Sequence, residues 1–314
     1  MEEAKRYREK VEMKNKLVES GVRVPKFKRV GEMTDVIKFI EENGYPVVVK
    51  HTKGCGSVNT FIVKDEQNLL SFFDKMKRVE KGLTMELQVE EFIVGEMYHV
   101  DGLLYDGEVK LIWPTKYVNL CVNFSSERFL GGFNLHPSNP LTPRLRQYVL
   151  EVINSLEGGK SFPFHAEVWV QPNGELVLCE IASRIGGPPI GKSVEVLWGY
   201  DMYRVFTESQ AGCELHDTQI LKKYSEREDP ETLVAHCALY PRAKSKLLSY
   251  PKEDPPSYVV YYQKVLKEGQ YVEKVSDSAN FVTLFLITGP NEELLKQRIQ
   301  ETVKWFEERS VWIC

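Results

Sequence analysis

Apolar and polar positions alternate over short stretches of this chain and recur every three or four residues over longer ones, the periods of strands and helices. Glu2 to Ser20 reads as a charged helix that stops at Gly21, followed by Val22-Arg23-Val24-Pro25. From Thr34 to Asn43, Val36, Ile37 and Ile40 share a helical face that ends at Gly44. Tyr45–Lys50 and Thr60–Val63 read as strands around the loop Lys53-Gly54-Cys55-Gly56-Ser57. A helix over Asp65–Arg78, carrying Leu69, Leu70, Phe72, Phe73 and Met76, and a strand over Met85–Phe92 complete a small α/β unit.

After Gly95 the pattern turns β-rich. Tyr98–Leu104 and Glu108–Pro114 are joined at Asp106-Gly107, a hairpin signal. Lys116 to Pro140 shows little periodicity and carries Gly131-Gly132, so it reads as a lid, a substrate loop or a disordered stretch. Thr142-Pro143 opens a helix whose Leu145, Val149, Val152 and Leu156 keep helical spacing as far as Gly158-Gly159. One further helix runs through Val194 to Ser209, and His216–Asp229 reads as a polar linker. Strand patterns at Leu233–Tyr240, Tyr258–Val265 and Phe281–Thr288 precede a terminal helix over Glu292–Glu308.

Between those two long helical patterns lies the most informative stretch, Phe164 to Ala182. Asn173-Gly174 between two apolar runs signals a tight turn at which both residues accept positive φ. Folding about it sets Val170 against Val177 and Glu167 against Glu180. The other face (Ala166, Val168, Val170, Val177, Cys179 and Ile181) reads as core, which pins the register. Like charges directly opposite are destabilising. Either the glutamates sit on a solvated face, or a divalent cation between them turns repulsion into coordination. The sequel Ala182-Ser183-Arg184-Ile185-Gly186-Gly187 adds a cation and a flexible turn at the same strand end. These are the parts of a metal–phosphate site.

Composition narrows the classes. At 314 residues the chain can form two or three packed units. A net charge of −4 argues against nucleic acid as the main partner. There is no long apolar run to span a membrane, and the amino terminus is charged rather than signal-like. The six cysteines include no Cys-x-x-Cys pair, which favours reduced thiols and a cytoplasmic location.

Three further stretches bear on phosphate chemistry. Gly186 to Ser193 satisfies the P-loop expression, but that loop works through consecutive backbone N–H groups, which Pro188 and Pro189 lack. Val47 to Ser57 delivers Lys50 from a buried strand into a Gly-Ser loop. Val89 to Glu96 ends a strand beside Glu90, Glu91 and Glu96, a cluster that alone reads as a solvated strand end. His165 shares a face with Glu167 and either contacts a phosphate or orients a carboxylate.

In this order, Lys50 with its Gly-Ser loop, Glu90-Glu91-Phe92-Ile93, Val100-Asp101-Gly102, Glu167, and Glu180 to Gly187 resemble the ATP-grasp superfamily from about Tyr7 to Gly212. The hairpin and its Arg-x-Gly-Gly tail look most like the carboxylate–amine ligase branch, with the amino-acid ligases and carnosine synthase-like enzymes. The resemblance implies an α+β ATP-grasp fold: a leading helix (1–25), a small subdomain (26–93), a large subdomain with the hairpin (94–212) and a C-terminal α+β subdomain (213–314). ATP would lie between the small and large subdomains. Lys10 and Lys50 match the family's phosphate lysines, and Gly54, Gly56 and Ser57 its phosphate loop. Glu90, Glu91 and Ile93 match the adenine-reading strand end, and Glu167 and Glu180 the ligands of magnesium, with manganese as an alternative. Arg184 matches the arginine at the transferring phosphoryl group.

The implied reaction is phosphorylation of a small carboxylate, then attack by an amine, with amino acids as the expected substrates. The alternative is an ATP-binding protein without ligase chemistry. There are departures from the pattern. Met97 stands at the usual ribose carboxylate position, with Glu96 one residue short, and Ala182 replaces an asparagine beside the metal ligands. The chain also starts at the helix of Lys10, without the family's preceding α/β domain: either it is a fragment, or it is a shortened form that does without that surface or takes it from a partner, a second copy in a homodimer among them.

Overall fold

In the computed structural model, residues 5–56, 59–79, 86–199, 201–211, 230, 232–275 and 278–313 are described. The small unit is a four-stranded antiparallel sheet of β1 (Phe27–Val30), β2 (Val47–His51), β3 (Phe61–Val63) and β4 (Leu87–Glu91), in the order β1-β4-β2-β3. Helices α2 (Met33–Asn43) and α3 (Glu66–Val79) cover it. Val36, Phe39, Leu69, Phe72 and Met76 bury their apolar stripe on Val47, Val49, Leu87 and Val89. Asp35 and Glu32 form a capping box at the start of α2, and Gly44 (φ +77°) ends it as its position in the pattern predicts.

Helix α1 (Lys10–Glu19) precedes this unit and joins both parts of the chain. Its Met13 and Leu17 enter the main core, while Lys10 and Lys14, one helical turn apart, stand beside the small unit's loop and sheet.

The second sheet has eight antiparallel strands. Its first strands are β5 (Glu96–Tyr105), β6 (Glu108–Tyr117), β7 (Phe129–Asn134), β8 (Phe162–Val170) and β9 (Leu176–Ala182). They are extended by β10 (Leu233–Leu239), β12 (Val259–Lys264) and β14 (Thr283–Gly289). The order is β12-β14-β10-β7-β6-β5-β8-β9, so strands beyond residue 232 continue the large sheet through the β7–β10 ladder. Helix α5 (Leu141–Leu156) and the terminal helix α8 (Glu292–Arg309) pack on one face of it. There Leu145, Val149, Val152, Ile299 and Phe306 are buried, each contributing about 1.5–3 kcal/mol by leaving water. Strands β11 (Ser245–Ser249), β13 (Tyr271–Val272) and β15 (Val311–Ile313) form a small third sheet.

Four readings of the sequence change. The stretch 116–140 is not a featureless loop: it carries the end of β6, the short helix α4 (Phe124–Glu127) and β7. Gly131 and Gly132 are strand residues there because a Cβ at 132 would stand 2.8 Å from the His236 ring and one at 131 only 3.3 Å from Ile299. The helix through 194–209 is two, α6 (Ile190–Trp198) and α7 (Met202–Gln210), broken at Gly199 with φ +77°.

At the hairpin tip only Gly174 has positive φ. Gly174 N–H donates to Gln171 O and Gln171 N–H to Glu175 O, a wider turn than Asn-Gly alone suggests. Val170 therefore faces Leu176, and a bulge restores Glu167 opposite Glu180. That bulge turns Cys179 out of the core and onto the cavity side. The proposed linker at 216–229 lies outside the described residues.

Gly102 on β5 is the tightest close approach near the hairpin: a Cβ there would overlap the Phe164 ring and the Leu111 carbonyl of the neighbouring strands. Gly102→Ala should cost about 3 kcal/mol, the upper range for overpacking, because backbone cannot yield as a side chain can. Urea unfolding measures it, and an unchanged midpoint would show that the sheet relaxes around the added methyl.

Candidate active site

A cavity of about 520 Å³ opens between the small sheet and the large one. Two rows of paired residues run across the large sheet beneath it. One row is Asn134, Thr115, His99, Glu167 and Glu180 on β7, β6, β5, β8 and β9; the next sets Asp101 against His165 and His165 against Ala182. Paired residues share a face, so strand register alone gathers these groups.

Lys50, from the end of β2, comes down on this floor. Its Nζ lies 2.6 Å from Glu90 Oε1 and 3.7 Å from Cys179 Sγ. Lys10 Nζ reaches Glu180 Oε2 at 3.1 Å and donates to Gly54 O at 2.7 Å. Lys14, fully buried, pairs with the other oxygen of Glu90. The carboxylate of Glu90 is thus shared by two ammonium groups, and its strand end lines the cavity.

Burial alone would raise the Glu90 carboxyl, but Lys14 and Lys50 hold it below its usual range. Burial lowers Lys14 in spite of Glu90. Burial also pulls Lys50 down, yet the Cys179 sulfur, Glu90 and Glu180 raise it above its ordinary value. The Cys179 thiol is itself pushed up to about 12 by burial, so it is protonated at neutral pH and the carboxylates are what keep Lys50 charged. Glu180 follows Glu90: burial opposes its ionisation, and Lys10 and Lys50 overcome that.

His165 lines the cavity with its Nε2 3.9 Å from Glu167 Oε1, while its Nδ1 lies 2.8 Å from Asp101 Oδ1. Burial lowers the imidazole, Asp101 more than compensates, and the His165 pKa is raised. Asp101 also lies 2.5 Å from His99 Nδ1, and the two rings hold it well below the carboxylate range against burial. His165 is thus oriented from behind by Asp101 and faces the Glu167 carboxylate in front. Tyr117 OH donates to Glu167 Oε1 at 3.2 Å.

Arg184 lies just beyond β9 and lines the cavity. Among the described residues it has no ion-pair partner; its NH1 donates to the neighbouring Ile185 O at 2.9 Å. The loop of Gly54 and Gly56 closes over the cavity and meets the far wall, where Ser278 N–H donates to Gly56 O at 3.4 Å.

The other predicted positions divide. Ile93 and Met97 line the cavity. Glu91 also lines it, with its carboxylate held 3.0 Å from Arg23 NH2. Glu96 stands outside the lining, 2.5 Å from Lys116 Nζ and 3.0 Å from Tyr98 OH. Ser57 lies outside the described residues.

The sequence reading passed over Lys14, Tyr117, His99 and the site-side position of Cys179. Spacing of four from Lys10 could have found Lys14. Nothing local marks Tyr117 or His99, which arrive through strand pairing.

Ligand atoms of Glu167, Cys179 and Glu180 all lie within 4.8 Å of one another. Two facing carboxylates with a thiol beside them suit a divalent cation, with magnesium served by the oxygens alone. No described helix is long and apolar enough to cross a membrane.

Residues 43–191 match the family model of the ATP-grasp domain. The L-arginine-specific L-amino acid ligase of Bacillus subtilis is 30% identical over 192 residues, covering 59% of this chain and 45% of that protein. The chain spans about half the length of the curated relatives it matches. The L-amino acid ligase of Bacillus licheniformis superposes with a TM-score of 0.74 at 18% identity, over 98% of this chain and 72% of that one. The biotin carboxylase domain of the Hydrogenobacter thermophilus 2-oxoglutarate carboxylase, solved with MgADP, ADP and bicarbonate, superposes with a TM-score of 0.72 at 17% identity, over 98% and 67% of the two chains. Residues 43–191 thus match the ATP-grasp domain, the fold is shared with ATP-grasp structures, and the chain is similar in sequence and fold to L-amino acid ligases.

Proposed function

We propose that this chain uses ATP to activate a small carboxylate and passes the acyl group to an amine, forming an amide or peptide bond between small molecules. The observation that carries this reading is the register at the open end of the β8–β9 hairpin. There Glu167 faces Glu180, Lys10 pairs with Glu180 and Lys50 with Glu90 beside them, and Arg184 leaves the same strand with no carboxylate partner among the described residues. Such a set has no nucleophile–base pair for covalent catalysis; it neutralises and positions charge.

Lys10 and Lys50 are the residues to meet the polyphosphate, and each can exchange its present carboxylate partner for a phosphate oxygen. Glu167 and Glu180 would hold magnesium or manganese, which when bound neutralises phosphate charge and draws electron density from the transferring group. Arg184 offers a planar fork for the transferring phosphoryl group or the substrate carboxylate. The carboxylate oxygen attacks the γ-phosphorus and ADP leaves. The amine nitrogen then attacks the acyl carbon, the C–O bond to phosphate breaks, and phosphate leaves. His165, braced by Asp101, keeps Glu167 oriented and adds a donor at the cavity wall. Val48, Ile62, Ile93 and Met97 line the cavity on the side of the small sheet and its hinge, a bed for adenine.

Release of ADP and phosphate with a panel of amino acids tests the reading directly: turnover should require both ATP and an amine. Tight ATP binding without amine-dependent turnover would instead favour a nucleotide-binding protein. Glu180→Gln should lower cation-dependent turnover by about 10²–10³-fold, the scale for losing one electrostatic stabiliser, while the unfolding midpoint stays within a few degrees. Normal activity in that variant would remove Glu180 from the cation site. Lys50→Met should weaken nucleotide binding by at least tenfold in a fluorescent-analogue titration. It should also leave Glu90 with Lys14 as its remaining cation, visible as a lower urea midpoint.

A further inference from the structure

Part of the cavity has no task in that scheme. Along β10 the alternation of a strand sends Ala235, Cys237 and Leu239 into the main core and His236, Ala238 and Tyr240 toward the cavity. Ala238 is paired with Leu130 on one neighbouring strand and Leu284 on the other. Together with Tyr240 and Phe281 they form an apolar cluster separate from the main core. Leu120 and Val122, from the turn after β6, line the same cavity. The wall offers few polar atoms: Tyr240 OH is committed to Ser278 O at 2.8 Å, and burial lowers the His236 pKa to about 3, leaving a neutral ring.

Charge is distributed in the opposite way. Every carboxylate lining the cavity among the described residues is engaged: Glu90 by Lys14 and Lys50, Glu91 by Arg23, Glu180 by Lys10, and Glu167 by Tyr117. None lies on the apolar wall. A lysine or arginine side chain placed there would lose its hydration without a partner among the described residues, and desolvation of an unpaired charge opposes it. An aspartate or glutamate side chain would meet no cation among the described residues of the wall, since Arg184 is spoken for by the α-carboxylate or the phosphoryl group.

Resting on the ligase reading above, we propose that the carboxylate this chain activates belongs to an amino acid with an uncharged apolar side chain. The α-carboxylate points to Arg184, and the side chain lies against Leu120, Val122, Leu130, Ala238, Tyr240 and Phe281. Selection among apolar side chains is loose, because one methylene in such a pocket discriminates by only about 10–200-fold. Rejection of charged ones is strong, because it rests on desolvation.

Hydroxylamine trapping tests the substrate class without knowledge of the amine. Its nitrogen attacks the acyl phosphate, phosphate leaves, and a coloured iron–hydroxamate reports the activated acid. With ATP and magnesium, leucine, methionine and phenylalanine should give hydroxamate at least tenfold faster than arginine, lysine, aspartate or glutamate. Equal or faster rates with a charged amino acid would overturn the proposal and leave the ligase reading standing. Ala238→Asp should lower the rate with leucine at least tenfold and raise it with arginine, with the KM for ATP unchanged; Leu130→Glu supplies the same carboxylate from the next strand if the first variant does not fold. If no amino acid yields hydroxamate, the ligase reading fails. Calorimetry with a non-hydrolysable ATP analogue then decides the pocket separately. Leucine binding at least tenfold tighter than arginine sustains it, and equal or undetectable leucine binding refutes it.

Discussion

Charges held out of water must neutralise one another, and the architecture of this cavity follows from that requirement. Two carboxylates brought face to face by strand pairing repel, and burial sharpens the repulsion. Lys10 and Lys50 relieve it, and Lys14 completes the balance from behind by sharing Glu90 with Lys50. These cations come from elements that are otherwise far apart in the chain, a leading helix and the small sheet. Docking of both onto the large sheet is therefore part of forming the site. A polyphosphate with its cation is the kind of ligand for which such a balance is useful, since it exchanges one set of ion pairs for another at modest net cost.

The division of the cavity follows from the same economy of charge. Polar rows run across the large sheet where β5, β8 and β9 meet, and the apolar row lies where β7, β10 and β14 meet. One continuous sheet thus carries a charged floor beside an uncharged wall. The Gly54–Gly56 loop touches Ser278 on the far wall, so the part of the chain beyond β9 helps to enclose the same space. The C-terminal strands are an extension of the site's own sheet rather than a bystander to it.

Much of this was legible in residue order. Residue spacing from the turn puts Glu167 opposite Glu180, and the structure keeps that pair although the pairing near the tip is offset by one. The turn is wider than Asn173-Gly174 implies, and the bulge at Cys179 cancels the difference. Burial of Ala166, Val168 and Ile181 set the register at the site end, and the tip adjusted to it. Gly131-Gly132 misled because glycine in a strand marks a close approach by another element, here His236 and Ile299, which no local pattern reveals. Glu96 sat near the right place in the chain, but strand alternation carried its carboxylate to Lys116.

By itself the sequence determined most of the elements, the hairpin that pairs two glutamates, and the order of lysine, acid and arginine that resembles the ATP-grasp pattern. Those depend on local periodicity and short-range turns, which a chain carries in its own text. Tertiary structure decided which charges share a partner, which cysteine turns toward the cavity, and where the apolar wall stands. These depend on register between strands distant in sequence and on desolvation, which exists only once the two sheets have closed on each other.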